Sequence, residues 1–393
     1  MRRCSSTSLA TAACAALLAA CGGPDQAAVP VERTDSAGVE LVRSLGPDVP
    51  LDWTFETVLT LGGKDEGPEA FYQVGNTGIG TDAAGNIHVL DGGNGQVQIF
   101  GPDGAHLRTV GRRGEGPGEL GQFLYGMAVA PDGAIAVFDA MKRTLVRWDA
   151  AGQVLPSIEV AGQPSGRFAL LDDGSVMATL RDGAYQGDSA RYVLRILEPS
   201  GATEDLLAMF AAPLQPVDFE CVMISGMAPL FQPEMRFDRA GSGLVVSSGP
   251  DYRVEGRKPD GAVHRVVSRD LPPVAATAEL AAIESDSMTV RFGDGRSCVV
   301  PADEVVEQRG FEPVVPAVRQ LVGAPDGSFW VQRGYGSERR VIDVFAADGA
   351  YVGTLPAGTP WPAALLDGET LLVRTTDEYD REMVEVRRIV PGS

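Results

Sequence analysis

From about residue 60 to its end, the chain alternates short apolar runs with tight turns at a regular spacing. One set of turns precedes a mainly apolar run: Asp82-Ala83-Ala84-Gly85 before Ile87 to Leu90, Pro131-Asp132-Gly133 before Ile135 to Phe138, and Asp172-Asp173-Gly174 before Val176 to Ala178. It continues with Ala240 to Gly243 before Leu244 to Val246, Pro325-Asp326-Gly327 before Phe329 to Val331, and Asp367-Gly368 before Thr370 to Val373. A second set follows the next run: Pro102-Asp103-Gly104, Ala150-Ala151-Gly152, Pro199-Ser200-Gly201, Pro259-Asp260-Gly261 and Ala347-Asp348-Gly349. Pro presets the first turn dihedral, Asp bonds back to the chain, and Gly supplies the positive φ of a tight hairpin, so each turn predicts two antiparallel strands.

The stretch from Gly62 to Asp91 parallels that from Gly111 to Asp139, a period of about 48 residues that falls in the propeller range. Six inner hairpins against five outer ones predict an all-β, six-bladed propeller of four-stranded antiparallel blades whose last blade lacks a strand. Phe55 to Gly62 occupies the place that Leu107 to Gly111 holds one repeat later, and is the natural donor. Closure by this N-terminal strand would pair edges that otherwise invite aggregation. Two stretches break the spacing, residues 208–235 and residues 269–318, the latter with a helix expected near Ala275 to Ile283 between blades 4 and 5. Both join one blade to the next and should emerge on one face.

With 44% hydrophobic and 22% charged residues, the chain can bury a core. A net charge of −20 excludes the clustered basic surface that a nucleic-acid partner requires. Only Lys64, Lys142 and Lys258 carry ammonium groups, so guanidinium supplies nearly all the positive charge. Arg2 and Arg3 precede an apolar stretch, Leu9 to Ala20, that ends in Leu18-Ala19-Ala20-Cys21, the layout of an export signal. This run resembles the lipobox of bacterial lipoproteins. The resemblance implies a signal over residues 1–20, lipidation of Cys21, and an extracytoplasmic chain anchored in membrane lipid, with the outer membrane favoured in a two-membrane envelope. Residues 21–36 then read as a tether and 37–393 as the propeller. Cys221 and Cys298, one in each insertion, are candidates for a disulfide if the insertions are neighbours, the alternative being two separate buried thiols.

The turns together with Asp35 to Val42, Gly111 to Leu120 and Trp330-Val331 resemble the six-bladed β-propeller lipoproteins related to NHL-repeat propellers. The resemblance implies the fold and no particular activity.

His88, His106 and His264 fall in different repeats without ligand spacing, and no nucleophile elbow, Cys-x-x-Cys or phosphate-binding loop occurs, so no catalytic residue, metal site or cofactor is expected. Counting back six to eight residues from each inner turn glycine gives the channel-mouth positions: Asn76, Thr77, Tyr125, Arg167, Arg236, Arg319 and Trp361. Three guanidiniums converging on one opening suit a carboxylate, sulfate or phosphate and oppose a dication; alternatively each is paired with an acidic neighbour. Lys142-Arg143, Tyr185 with Arg191, Tyr252-Arg253, Tyr335 with Arg339-Arg340, and Tyr379 with Arg381 form a second aromatic and basic pattern in inter-strand connections, with Tyr252 and Tyr335 as its candidate ligand contacts. The expected function is non-catalytic binding of an anionic small molecule, glycan, peptide or envelope protein on the insertion-bearing face. The alternatives are a calcium-dependent hydrolase or lyase of the lactonase type, or a scaffold in an envelope assembly.

Overall fold

The computed structural model describes residues 30–182, 191–210, 215–291, 296–336 and 339–392; Cys21 and Tyr185 lie outside them. Six antiparallel sheets follow one another around a ring. Blade 1 comprises Ile79–Thr81, Ile87–Asp91, Gln96–Phe100 and His106–Val110; blade 2 comprises Leu124–Val129, Ile135–Asp139, Thr144–Trp148 and Val154–Glu159. Blade 3 is built from Gln163–Leu170, Val176–Asp182, Arg191–Leu197 and Thr203–Phe210, and blade 4 from Arg236–Ala240, Gly243–Ser247, Arg253–Arg257 and Val263–Arg269. Gln320–Gly323, Phe329–Arg333, Val341–Phe345 and Tyr351–Leu355 form blade 5.

The turn chemistry works as the sequence implies. Asp132 Oδ1 accepts from the backbone N–H of Ala134 at 2.9 Å, and Asp173, Asp260 and Asp326 repeat the bond two residues on. Gly133 sits at φ 92°, where a side chain would be strained. Gly243 and Gly368 are the turn glycines that do not adopt a positive φ.

Blade 6 has only Ala364–Leu365, Thr370–Thr376 and Glu382–Val390 from the C-terminal repeat. Its fourth strand is β3, Thr54–Gly62, which pairs antiparallel with Glu382–Val390 from Thr54 opposite Val390 to Gly62 opposite Met383. Apolar clusters then lie between every adjacent pair of blades. Phe138, Leu145, Phe168 and Leu180 join blades 2 and 3, while Leu61, Phe71, Val89, Phe100 and Val384 join blades 6 and 1. Each such fully buried side chain contributes about 1.5–3 kcal/mol.

Two shorter strands precede the closing one. β1, Val31–Ser36, and β2, Val39–Ser44, form a hairpin through Ala37 and Gly38 at positive φ, and β2 adds in parallel to the outer strand of blade 4, making that sheet six-stranded. Val31–Ser36 is thus a strand inside the segment expected as tether. Between hairpin and closing strand, Leu51 N donates to Thr354 O at 2.9 Å on blade 5, so the N-terminal segment straps blades 4, 5 and 6 from outside.

A buried polar network fixes the strap. Asp343, wholly buried, accepts from Arg269 Nη1 at 3.0 Å, Arg333 Nε at 3.0 Å, the Tyr252 hydroxyl at 2.7 Å and Thr354 Oγ1 at 2.6 Å. Arg269 and Arg333 also bind Asp48 of the strap. Burial raises the Asp48 pKa, but the two guanidiniums more than offset this and hold its carboxyl below the usual range.

The two insertions fold together as a cap. Gln215–Phe219 and Val222–Met227 form one hairpin, Met288–Arg291 and Ser297–Val300 another, and helices α1 (Ala278–Glu284) and α2 (Ala302–Arg309) complete it. Thr277 caps α1 by accepting from Leu280 N; α2 went unforeseen because Pro301 and its mixed charges hide a short amphipathic turn. Cys221 and Cys298 form a disulfide with Cα atoms 6.0 Å apart, next to a cluster of Val217, Phe219, Val300 and Val305. In the chain-entropy picture a cross-link over a 77-residue separation contributes about 4 kcal/mol. Among the described residues no helix is long and apolar enough to cross a membrane.

Two outcomes follow from closure and strap. Deleting the chain through Gly62 should abolish cooperative thermal unfolding, whereas deletion through Ser36 should leave one transition at a lower midpoint; calorimetry of both truncations distinguishes them. A carboxyl whose folded pKa is depressed adds stability above its unfolded value, about 3.9, and loses it as pH falls through the folded pKa. Asp48→Asn should therefore be less stable than the parent at pH 7, and its urea midpoint should fall less steeply below about pH 4.

Candidate functional site

The start of each inner strand faces one mouth of the ring, and the cap closes over that mouth. Between them lies a cavity of about 470 Å³, within the ~300–1,000 Å³ span of small-ligand sites. Every blade contributes to its wall: Thr77 from blade 1, Tyr125 from blade 2, Arg167 from blade 3, Arg236 from blade 4, Arg319 at the entry to blade 5 and Trp361 before blade 6. The cap supplies Ala228 to Gln232, Glu234 and Arg309.

The guanidiniums are not equivalent. Arg167 donates to Ala363 O at 2.7 Å and stands 3.7 Å from Asp238. Burial pushes the Asp238 carboxyl up even with Arg167 beside it. Arg236 bonds Glu234 at 2.6 Å and the carbonyl of Arg319 at 3.1 Å. Arg319 pairs with Glu284 of α1 at 2.6 Å and lies over the Tyr335 ring at 4.9 Å, leaving its buried Nε without a partner. All three channel-mouth arginines are thus brought together, and each has an acidic neighbour. Glu284 also accepts from Arg340 and the Gly336 N–H; these bonds outweigh burial and hold its carboxyl below the usual range.

Arg309 differs. It ends α2 at the cavity wall, and its Nε donates to Ala228 O at 3.0 Å, but among the described residues no carboxylate pairs with it. Burial lowers its pKa and the negative charge of Glu234 partly restores it; the group stays cationic at neutral pH. In the same wall, Gln232 has both amide atoms buried without a hydrogen-bond partner, and Ser165 Oγ is likewise unpartnered. Such groups cost stability unless a ligand or water satisfies them. Burial raises the pKa values of Tyr125, Tyr192 and Tyr335, so their hydroxyls remain neutral donors and acceptors. Sequence reading missed Arg309, Gln232 and Tyr192. The only cue for Arg309 was its position just before Gly310, which caps α2 at φ 67°.

Tyr252 requires correction. It is 6% exposed and its hydroxyl is committed to Asp343, because the second strand connection of blade 4 turns inward between blades 4 and 5. The rest of that second pattern is largely spent on structure. Lys142 Nζ donates to the carbonyls of Gly114 and Glu119, Arg253 pairs with Glu255, Arg191 with Asp205, and Arg381 with Asp377 and Asp65. Among the described residues of that pattern, only Tyr335 reaches the cavity. None of the three histidines lines it; His88 is fully buried with Nε2 3.4 Å from Asp82. Among the described residues no group of three or more His, Cys, Asp or Glu is placed to hold a metal ion.

Comparison with known proteins bears on the fold. Residues 77–181 match the family described as a 6-bladed beta-propeller, DUF5128. No protein of curated function matches the chain. Among solved structures, a Bacteroides fragilis protein assigned as exported aligns over 89% of this chain and 99% of its own at 12% identity, TM-score 0.51. A member of the duf4221 family from Bacteroides vulgatus aligns over 86% and 99% at 9% identity, TM-score 0.47. Virginiamycin B lyase from Staphylococcus aureus aligns over 85% and 99% at 12% identity, TM-score 0.40. The family match, the first of these alignments and the ring of blades agree that the chain folds as a six-bladed β-propeller.

Proposed function

We propose that this propeller is a non-catalytic binding protein of the cell envelope, anchored through lipidated Cys21, that takes an anionic ligand in its capped mouth. The observation that carries the reading is Arg309: a partly buried guanidinium in the cavity wall with no carboxylate partner among the described residues, in a wall that also holds the unpartnered amide of Gln232. The paired arginines add positive potential and hold the wall rigid, which favours binding by lowering the ordering cost. Among the described residues that line the cavity none sets a nucleophile against a base, and Glu234, Asp238 and Glu284 are engaged by guanidiniums. The calcium-dependent hydrolase reading therefore has no observation in its favour.

Titration calorimetry of the purified protein with phosphate, sulfate, citrate and galacturonate should give saturable binding of at least one, weakening as salt rises. Arg309→Ala should lose about tenfold or more in affinity, the worth of one charge-assisted hydrogen bond, while retaining the parent's melting temperature. Absence of binding across the panel, or unchanged affinity in the variant, would sink the reading.

A further inference from the structure

Blades 1 and 2 lie across the ring from the cap, which is rooted on either side of blade 4. There three aromatic side chains stand in solvent: Tyr72 is 62% exposed, Phe123 61% and Tyr125 41%. With Gln73, Gln122 and Arg113 they line an open depression of about 800 Å³, and Tyr125 belongs to this depression and to the capped cavity alike. The two spaces therefore share one wall side chain.

The rings rest on fixed backbone. A methyl group on Gly93 would fall 1.9 Å from Tyr72 Cδ1, so the Tyr72 ring lies directly against the chain at that glycine. Tyr72 N donates to Asp91 Oδ1 at 3.1 Å, and Gly93 N to Tyr72 O at 2.7 Å. Arg113 donates to the carbonyls of Gly92 at 2.8 Å, Gly93 at 2.6 Å and Gly121, tying the loops of both blades together. Phe123 O accepts from Ala140 N at 2.8 Å. Large exposed rings on preorganised loops are the composition of recognition surfaces rather than of ordinary solvated loops.

Resting on the anion-binding reading of the cavity, we infer that cavity and aromatic platform form one continuous site for an acidic oligosaccharide. A uronate carboxylate meets Arg309, and successive sugar rings lay their C–H faces on Tyr125, Phe123 and Tyr72. Three features select this class. Flat rings open to solvent accept the faces of pyranoses. The side-chain amides of Gln73, Gln122 and Asn76 suit hydroxyls as both donors and acceptors. The cationic group, without a carboxylate partner among the described residues, lines the capped cavity rather than the open depression, so the acidic residue belongs there. A peptide would instead call for a deep apolar hole for an anchor side chain, and the platform is open.

The test compares galacturonate, tetragalacturonate and tetraglutamate by calorimetry on the full protein. Tetragalacturonate should bind about tenfold or more tightly than galacturonate, as expected when additional rings stack on aromatic anchors. Tyr72→Ala/Phe123→Ala should bring the tetramer down to the affinity of the monomer without changing monomer binding or melting temperature. Arg309→Ala should weaken both. Equal affinities of monomer and tetramer, or an unaffected double variant, would overturn the platform while leaving the anion cavity standing. Tetraglutamate binding as tightly as tetragalacturonate would overturn the sugar class. Failure of galacturonate and every other small anion would instead remove the cavity reading on which this inference rests.

Discussion

No blade of this protein owns a hydrophobic core. Each apolar cluster of the ring is shared by two neighbours, with Val97 and Trp148 between blades 1 and 2, Met177 and Phe237 between 3 and 4, and Val322 and Leu371 between 5 and 6. A blade at an open end would expose its half of one such cluster, so the last of these interfaces is buried only when the ring closes. The pairing of Thr54–Gly62 with Glu382–Val390 is that closure, made by strand hydrogen bonds between the two ends of the chain. Every other feature of the molecule, including convergence of six inner strands on one mouth, depends on it.

The strap and the cap place their stabilising groups differently. The strap uses buried charge: Asp343 collects two guanidiniums and two hydroxyls, a geometry that satisfies its lone pairs and makes a buried carboxylate tolerable. The cap is too small to hold a large core. The disulfide joins its two hairpins beside one apolar cluster, and backbone bonds such as Leu230 N to Gly310 O at 3.0 Å tie the two insertions together beside the other. Small units with few buried side chains commonly need such staples. Gln232 of the cap and Arg319 Nε at the entry to blade 5 are buried in the cavity wall without hydrogen-bond partners, whereas beneath the strap the Asp343 carboxylate is fully engaged and Arg269 Nε is left unpartnered.

Much of the fold was legible in the sequence because it is local. Turn residues such as Pro131-Asp132-Gly133 act through bonds two residues long, and the mismatch of inner and outer turns already required a donor strand. The channel-mouth residues were legible for the same reason, since a fixed count from each inner turn lands at the same height on the inner strand; Tyr125, Arg167, Arg236, Arg319 and Trp361 all line one cavity. Tyr252 was misplaced because a tyrosine in a strand connection reads alike whether it points to solvent or between two blades. Parallel addition of Val39–Ser44 to blade 4 left no trace either, since an edge strand carries no mark of which sheet it will extend.

The sequence by itself determined the number of blades, the direction of closure and the set of side chains at the mouth, because repeat length and turn chemistry are properties of neighbouring residues. Tertiary structure alone decided which of those side chains are already engaged. Arg167, Arg236 and Arg319 each found an acidic neighbour near them in space, two of them distant in the chain, while Arg309 came from a cap helix to the same cavity with no carboxylate ion pair among the described residues. Pairing depends on distances between segments far apart in sequence, and those distances exist only once the ring is closed and the cap has folded over it.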